Sequence, residues 1–177
     1  MFTLYTTTDC IHSYKIRLVA AQLNIPHRIR LLDTGDENLR RSFLALNPIG
    51  TTPFAVLDQG GSLCEANAAI WYLSRGSRLF PASSGDEAIA LEWLLVERAL
   101  KDDLSLDDTA ERLASHLTNR DFVTGKQYTI ADVALYATLH HQMDRLVTGT
   151  AEQLQAWTAR VEATTLFIPA GSAELAA

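Results

Sequence analysis

The first 74 residues alternate between strand-like and helix-like segments, and this order limits the possible folds more than any other feature. Bulky and β-branched side chains alternate over residues 2–6, and a second strand is predicted over 27–32, after the breaker Pro26. A helix predicted from about Ser13 to Leu23 joins these strands, with apolar side chains at helical spacing on one face. The two strands are therefore expected to pair in parallel through a right-handed crossover.

The next segments complete a small mixed sheet. A short helix, a strand, a hairpin turn with two adjacent glycines, a brief strand and a third helix are predicted at residues 36–46, 54–57, 58–62, 63–64 and 66–74. A tight turn joins the last two strands, which must therefore be antiparallel. The order β-α-β-α-β-β-α predicts an α/β domain with a four-stranded sheet.

A change in composition separates this domain from the rest of the chain. The stretch from Arg75 to Gly85 breaks the periodicity and is rich in Gly and Ser. Beyond it, apolar side chains recur at helical spacing in four segments, at about 86–101, 106–117, 130–143 and 151–163. We predict a first domain over residues 1–76, a linker over 77–85 and an all-α domain over 86–177.

Charge and composition argue against several kinds of partner. The formal net charge is −6, which provides no basic field for nucleic acid or an anionic membrane surface. The N-terminus lacks a signal-peptide pattern, and no apolar run approaches the roughly 18 residues of a membrane-spanning helix. Cys10 and Cys64 are too few for a disulfide scaffold and lie in no cluster of metal ligands. We expect a cytoplasmic protein with no metal site.

Four stretches of the chain resemble, in order and at similar separation, the cytosolic glutathione transferase superfamily. They are Cys-Ile-His-Ser-Tyr-Lys-Ile-Arg, Phe-Leu-Ala-Leu-Asn-Pro-Ile-Gly-Thr-Thr-Pro-Phe, Leu-Cys-Glu-Ala-Asn-Ala-Ala-Ile-Trp-Tyr-Leu and Gly-Lys-Gln-Tyr-Thr-Ile-Ala-Asp-Val-Ala. Together they cover both predicted domains, and they are most similar to bacterial members of the serine and cysteine types. The resemblance implies a thioredoxin-like N-terminal domain and an all-α C-terminal domain, here shorter than is usual in the family.

The resemblance also implies an activity. Proteins of this family use glutathione as a co-substrate, with no bound cofactor, and act on a small hydrophobic electrophile or a disulfide. We therefore expect a glutathione transferase or a glutathione-dependent thiol transferase. The resemblance also implies a homodimer.

Cys10 is the candidate catalytic residue. In the family, the side chain that acts on the sulfur of glutathione lies just after the first strand, and Cys10 occupies this position. The N-terminus of the following helix favours a thiolate, and His12 supports it when protonated. His12 and Ser13, from the same motif, are predicted to contact glutathione. Without the resemblance, a lone cysteine is more simply interpreted as a small buried residue.

Other predicted contacts lie in the Thr-Thr-Pro motif and on the second helix. The peptide bond before Pro53 is cis in the family, which lets the backbone of Thr52 pair with the ligand like a strand. From residue chemistry alone, a trans proline that starts a strand is the commoner arrangement. By family analogy, Arg40 or its neighbour Arg41 lies nearest to the glycyl carboxylate of glutathione.

The third helix is expected to bind the γ-glutamyl group. Family members place an acidic residue and then a serine at its start, whereas this chain has Glu65 and then Ala66. The backbone amides of Ala66 and Asn67 are left to meet the glutamyl carboxylate. A hydrogen bond to a charged group contributes about 1.5 to 3 kcal/mol, so loss of the serine hydroxyl lowers the expected affinity by about tenfold or more.

Thr129-Ile-Ala-Asp132 has the spacing of a helix capping box and is interpreted as structural.

Two functions are compatible with all these residues. One is a glutathione-dependent enzyme with Cys10 at its catalytic position. The other is a non-catalytic module that keeps the fold and serves protein–protein interaction, which Ala66 and the short helical domain favour.

Overall fold

The computed structural model describes residues 1–100, 103–146 and 148–170. Within this part of the chain there are two compact units. The first contains residues 1–73 together with 168–170, and the second contains residues 74–167. The predicted helical domain includes residues 168–170, whereas the structure groups them with the first unit. There the Ile168 carbonyl accepts a hydrogen bond from the buried Tyr14 hydroxyl at 2.7 Å.

Four strands form the sheet of the first unit: β1 (Phe2–Thr6), β2 (His27–Leu31), β3 (Phe54–Leu57) and β4 (Ser62–Leu63). Their order across the sheet is β2-β1-β3-β4. β1 pairs in parallel with β2 and antiparallel with β3, which in turn pairs antiparallel with β4. Gly60 and Gly61 both have positive φ in the turn between β3 and β4, a conformation that glycine adopts without steric cost. The predicted mixed sheet is confirmed.

Three helices accompany the sheet: α1 (Ile11–Gln22), α2 (Glu37–Leu46) and α3 (Ala66–Ser74). The predicted start of α1 at Ser13 is wrong by two residues. Cys10 has extended backbone angles and is the N-cap, so the helix begins at Ile11. Ser13 is buried in the first turn, where its hydroxyl accepts from the Thr6 hydroxyl at 2.6 Å.

The two faces of the sheet are covered by different side chains. Phe2 and Leu4 of β1 are buried, and so is the apolar side of α1, represented by Ile16 and Val19. Tyr5 alternates to the opposite direction in the strand. Its ring contacts Phe43 of α2 and Phe54 of β3, with centroids 5.5 and 6.2 Å away. Tyr5 is thus a packing residue, as its place inside the strand predicts.

The second unit contains α4 (Ser84–Ala99), α5 (Asp103–Leu117), α6 (Ile130–Leu139), a 3-10 helix (His140–Arg145) and α7 (Thr148–Glu162). The predicted α/β plus all-α architecture is confirmed, but several helix ends differ from the prediction. α4 begins inside the predicted linker because Ser83 caps it, accepting from the Asp86 amide at 3.1 Å. The predicted helix over 130–143 ends as an α-helix at Leu139 and continues as the 3-10 helix.

The predicted capping box of α6 is present and lies at the centre of a buried hydrogen-bond cluster. The Asp132 carboxylate accepts from the Thr129 amide at 2.9 Å and from its hydroxyl at 3.3 Å. It also accepts from the Val123 amide at 2.9 Å and the Trp157 indole at 3.0 Å. Burial raises the pKa of Asp132 to about 6, although these hydrogen bonds act in the opposite direction.

None of the helices among the described residues has the length and apolarity needed to span a membrane.

Candidate functional site

Three of the predicted glutathione-site segments meet at one edge of the sheet. Tyr5 pairs with Phe54, so the chain leaving β1 toward Cys10 lies at the same edge as Thr52 and Pro53, which lead into β3. β4 runs antiparallel to β3 and therefore ends at this edge. The chain then enters α3 through Glu65. The strand register alone thus brings together the starts of α1, β3 and α3.

Cys10 stands at the start of α1 and is half-buried. Its amide donates to the Thr7 carbonyl at 3.4 Å, and its own carbonyl accepts from the Tyr14 amide at 3.0 Å. The Cys10 side chain makes no capping hydrogen bond to α1 and forms no disulfide. Cys64 is also a free thiol, and it is exposed. The thiol of Cys10 is therefore not committed to a structural bond within its own helix.

The loop before Cys10 is tied to the neighbouring strand connection. The Thr8 amide donates to Asp33 Oδ2 at 2.8 Å, and this hydrogen bond lowers the pKa of the exposed Asp33 carboxyl. Within the Cys10 motif the two other predicted contacts differ in exposure. His12 is exposed, whereas the Ser13 hydroxyl is buried against Thr6. Ser13 joins α1 to β1 in this structure.

The Thr52–Pro53 peptide bond is cis. Thr52 is half-buried and Pro53 is buried. The preceding loop is held by Asn47, a buried residue at the end of α2 whose Nδ2 donates to the Thr51 carbonyl at 2.8 Å. A fixed loop of this kind gives a ligand backbone a pre-formed edge to pair with.

At the start of α3, Glu65 acts as the helix cap. Its Oε2 accepts from the Ala68 amide at 2.7 Å, and its carbonyl accepts from the Ala69 amide at 3.0 Å. The acidic side chain thereby provides a capping acceptor for a helix whose first residue, Ala66, has no hydroxyl. Ala66 itself is buried. The amides of Ala66 and Asn67 belong to the same first turn, the part of a helix that favours an anion.

Arg40 is exposed on α2, and its amide bonds to the Asp36 carbonyl within that helix. Within the described residues, the Arg40 side chain forms no hydrogen bond to another predicted site residue. Its predicted role at the glycyl carboxylate stays a prediction.

One side-chain contact near this edge, between Lys15 and Asn67, is not predicted from the sequence. Lys15 of α1 is buried, and its Nζ donates to Asn67 Oδ1 of α3 at 3.4 Å. The position of Lys15 could have identified it, because it lies one helical turn before Val19 on the apolar face of α1. Asn67 gives no comparable signal, since its partner is 52 residues away.

Among the described residues, no three His, Cys, Asp or Glu side chains are placed to hold a metal ion. A cavity of about 500 Å³ lies within the second unit, where Arg120 and Arg160 line it together with small and polar residues. Both arginines already donate to backbone carbonyls, those of His116 and Asp121, at 2.8 and 2.9 Å. They are therefore explained as structural.

Comparison with known sequences identifies the first unit. Residues 9–75 match the family model described as glutathione S-transferase, N-terminal domain. The maleylacetoacetate isomerase of Pseudomonas aeruginosa is 32% identical over 76 residues, which are 41% of this chain. The match spans only 34% of that relative's length, so it does not inform on the whole protein.

Comparison with solved structures extends over nearly the whole chain. A possible glutathione S-transferase from Rhodopseudomonas palustris superposes with a TM-score of 0.83 and 32% identity, covering 96% of this chain and 97% of that one. A glutathione S-transferase from Pseudomonas fluorescens gives 0.80 and 24% identity, covering 95% and 98%. The latter likeness concerns the fold alone. The short helical unit is matched in length by both structures, and the chain belongs to the glutathione S-transferase superfamily.

Proposed function

We propose that the protein is a glutathione-dependent thiol transferase in which Cys10 is the nucleophile. The observation that carries the proposal is the position of Cys10. Cys10 is half-buried, stands at the N-cap of α1 and lies at the sheet edge where Thr52 and Glu65 also lie. The backbone amides of the first helical turn give this end of α1 a partial positive charge.

The chemistry follows from thiol–disulfide exchange. The Cys10 thiolate attacks the glutathione sulfur of a mixed disulfide between glutathione and a small substrate. The bond between Cys10 and glutathione forms as the bond between the substrate and glutathione breaks, and the substrate leaves as a thiolate that takes a proton from water. A second glutathione thiolate then attacks the bound glutathione sulfur, which releases oxidised glutathione and restores the Cys10 thiolate.

Glutathione is held, in this proposal, by contacts on both sides of Cys10. The backbone of Thr52 pairs with the tripeptide, and the carboxylate of Glu65 receives its ammonium group. The amides of Ala66 and Asn67 receive the γ-glutamyl carboxylate. Arg40 is proposed to meet the glycyl carboxylate, and His12 to approach the ligand from the first turn of α1. Ser13 is not included, because its hydroxyl is buried against Thr6.

The test is a calorimetric titration of the reduced protein with glutathione, followed by an assay of glutathione-dependent reduction of a mixed disulfide. We expect a dissociation constant between about 1 μM and a few mM, and turnover that depends on Cys10. Transfer of glutathione to a small electrophile without disulfide reduction would assign conjugation instead. No heat at millimolar glutathione, from a protein shown to be folded, would refute the proposal.

The competing function is a non-catalytic module that binds another protein. Two observations favour it: Ala66 lacks the hydroxyl of the family, and the Glu65 carboxylate bonds to its own helix. This alternative requires a folded protein that neither binds nor turns over glutathione. The same titration therefore separates the two functions.

The second unit supports a further proposal, that the protein is a homodimer. Leu91 and Leu95 lie one turn apart on α4 and are 47% and 62% exposed. Two large apolar side chains on one helix face favour burial against a second copy.

A cytoplasmic location and a small hydrophobic electrophile or disulfide as second substrate stay predictions.

A further inference from the structure

The buried lysine of α1 is the feature of the first unit that the proposed chemistry does not use. Lys15 is 1% exposed, although an ammonium group in such a position loses its hydration. A methionine would fill nearly the same space without that penalty. The charge of Lys15 can therefore be tested separately from the volume of its side chain.

The Lys15 side chain reaches the first turn of α3. Its Nζ donates to the Oδ1 of Asn67, which is 7% exposed and is the second residue of α3. The ammonium thus lies one side chain away from the first turn of α3. Because both residues are buried, solvent and salt screen the charge less than at the surface.

The first turn of α3 also lacks the serine hydroxyl that members of the family have there. The Ala68 amide is already bonded to Glu65, and Ala66 carries no hydroxyl. An anion at this turn is therefore bound by the backbone amides and by any positive charge close to them. Lys15 provides such a charge through Asn67.

We propose that Lys15 is a positioning residue for the γ-glutamyl carboxylate of glutathione. It fixes the Asn67 side chain and adds positive charge behind the N-terminus of α3, where it compensates for the hydroxyl that Ala66 lacks. Lys15 does not touch the ligand; it acts through Asn67 and through its field. The inference rests on the proposed function, because it concerns the same glutathione site.

The experiment compares two ligands on matched variants. Glutathione and its analogue with the γ-glutamyl carboxylate converted to an amide are titrated into wild type, Lys15→Met and Arg28→Met. Arg28 lies on the edge strand β2 and is exposed, so its replacement removes one positive charge from the same unit at another place. Lys15→Arg and Asn67→Ala are measured in parallel, in case Lys15→Met does not fold.

We expect Lys15→Met to bind glutathione about tenfold more weakly than wild type and to bind the amide analogue nearly as well as wild type does. Asn67→Ala should show the same carboxylate-specific loss, Lys15→Arg should retain most of the affinity, and Arg28→Met should match wild type. A purely structural role of Lys15 would weaken both ligands equally, and that result would overturn the proposal. Unchanged glutathione binding by Lys15→Met and Asn67→Ala would overturn it too, while leaving the proposed function intact. Failure of wild type to bind glutathione would instead refute the proposed function, and this inference with it.

Discussion

At the scale of single residues, Cys10 and Cys64 form a natural pair for comparison. Both are thiols that stand at the start of a helix or just before one, and neither forms a disulfide. Only Cys10 follows β1 and occupies the N-cap position of α1, and Cys64 is exposed between β4 and α3. Replacement of one or the other by serine keeps the size of the side chain and removes the nucleophile.

Cys10→Ser is expected to lower the rate of glutathione-dependent disulfide reduction by at least about 100-fold, because the covalent step needs the thiolate. Glutathione affinity should stay within about threefold of wild type, since the contacts of β3 and α3 are unchanged. Kinetic assays and calorimetry on the same preparations measure both quantities. Cys64→Ser serves as the control and should retain activity. Equal activity of Cys10→Ser and wild type would remove Cys10 from the mechanism.

Ala66 offers a prediction in the opposite direction, a gain of binding. Ala66→Ser adds a hydroxyl at the first position of α3, where it can donate to the γ-glutamyl carboxylate. We expect glutathione to bind about tenfold more tightly, as a hydrogen bond to a charged group provides. Ala68→Ser, at an exposed position on the same turn, should leave the affinity unchanged. If calorimetry finds no gain for Ala66→Ser, the carboxylate does not lie at this turn.

At the scale of secondary-structure elements, α6 shows which interactions a sequence can predict. Thr129 and Asp132 are three residues apart, so the spacing alone is enough to predict their contact. The same carboxylate also accepts from Val123 and Trp157, which approach it only after the chain has folded. Sequence spacing therefore predicts the cap, whereas the buried cluster around it depends on packing between distant segments.

The pH dependence of stability follows from the burial of Asp132. Its pKa rises from 3.8 to about 6 on folding, so the folded protein holds the proton more tightly than the unfolded chain. The stabilising effect of protonation is complete below about pH 3.8 and is lost as the pH rises through about 6. The shift corresponds to about 3 kcal/mol in the free energy of unfolding.

Asp132→Asn is the variant that isolates this effect, because its side chain does not titrate. The variant is expected to be less stable than wild type, since one amide oxygen replaces two carboxylate oxygens that accept hydrogen bonds. The advantage of wild type should shrink by about 3 kcal/mol between about pH 4 and pH 7. Urea denaturation of both proteins across this range measures it. An advantage that stays constant with pH would show that Asp132 does not titrate there.

The elements also show why parts of the site were beyond prediction. The motif around Cys10 and the Glu65-Ala66 pair stand at predicted helix starts, so their order along the chain is enough to propose a shared site. The bond between Lys15 and Asn67 requires α1 and α3 to pack side by side. The sequence does not predict the start of α4, for a different reason. Ser83 and Asp86 form a local capping pair, but they lie in a segment whose Gly and Ser content indicates a linker.

At the scale of the whole molecule, the proposed glutathione site and the proposed dimer interface belong to different units. The first unit carries all the proposed glutathione contacts, and the family model matches residues 9–75, nearly all of which lie in it. The second unit contains four α-helices and a 3-10 helix among its described residues, and it carries the exposed leucines of α4. The choice of second substrate and the assembly state are therefore properties to be tested on the intact chain.

The dimer proposal gives a prediction for the intact protein. Leu95→Glu places a charge in the exposed apolar face of α4, and burying an unpaired charge against a second copy is costly. Wild type is expected to sediment with twice the mass of the 19.5 kDa chain, and Leu95→Glu with the mass of one chain. Gln155→Glu adds the same charge at an exposed position on α7 and should remain dimeric. Because Leu95 is already exposed, Leu95→Glu should keep the helical content of wild type. A monomeric wild type would refute the dimer, and a dimeric Leu95→Glu would move the interface away from this face of α4.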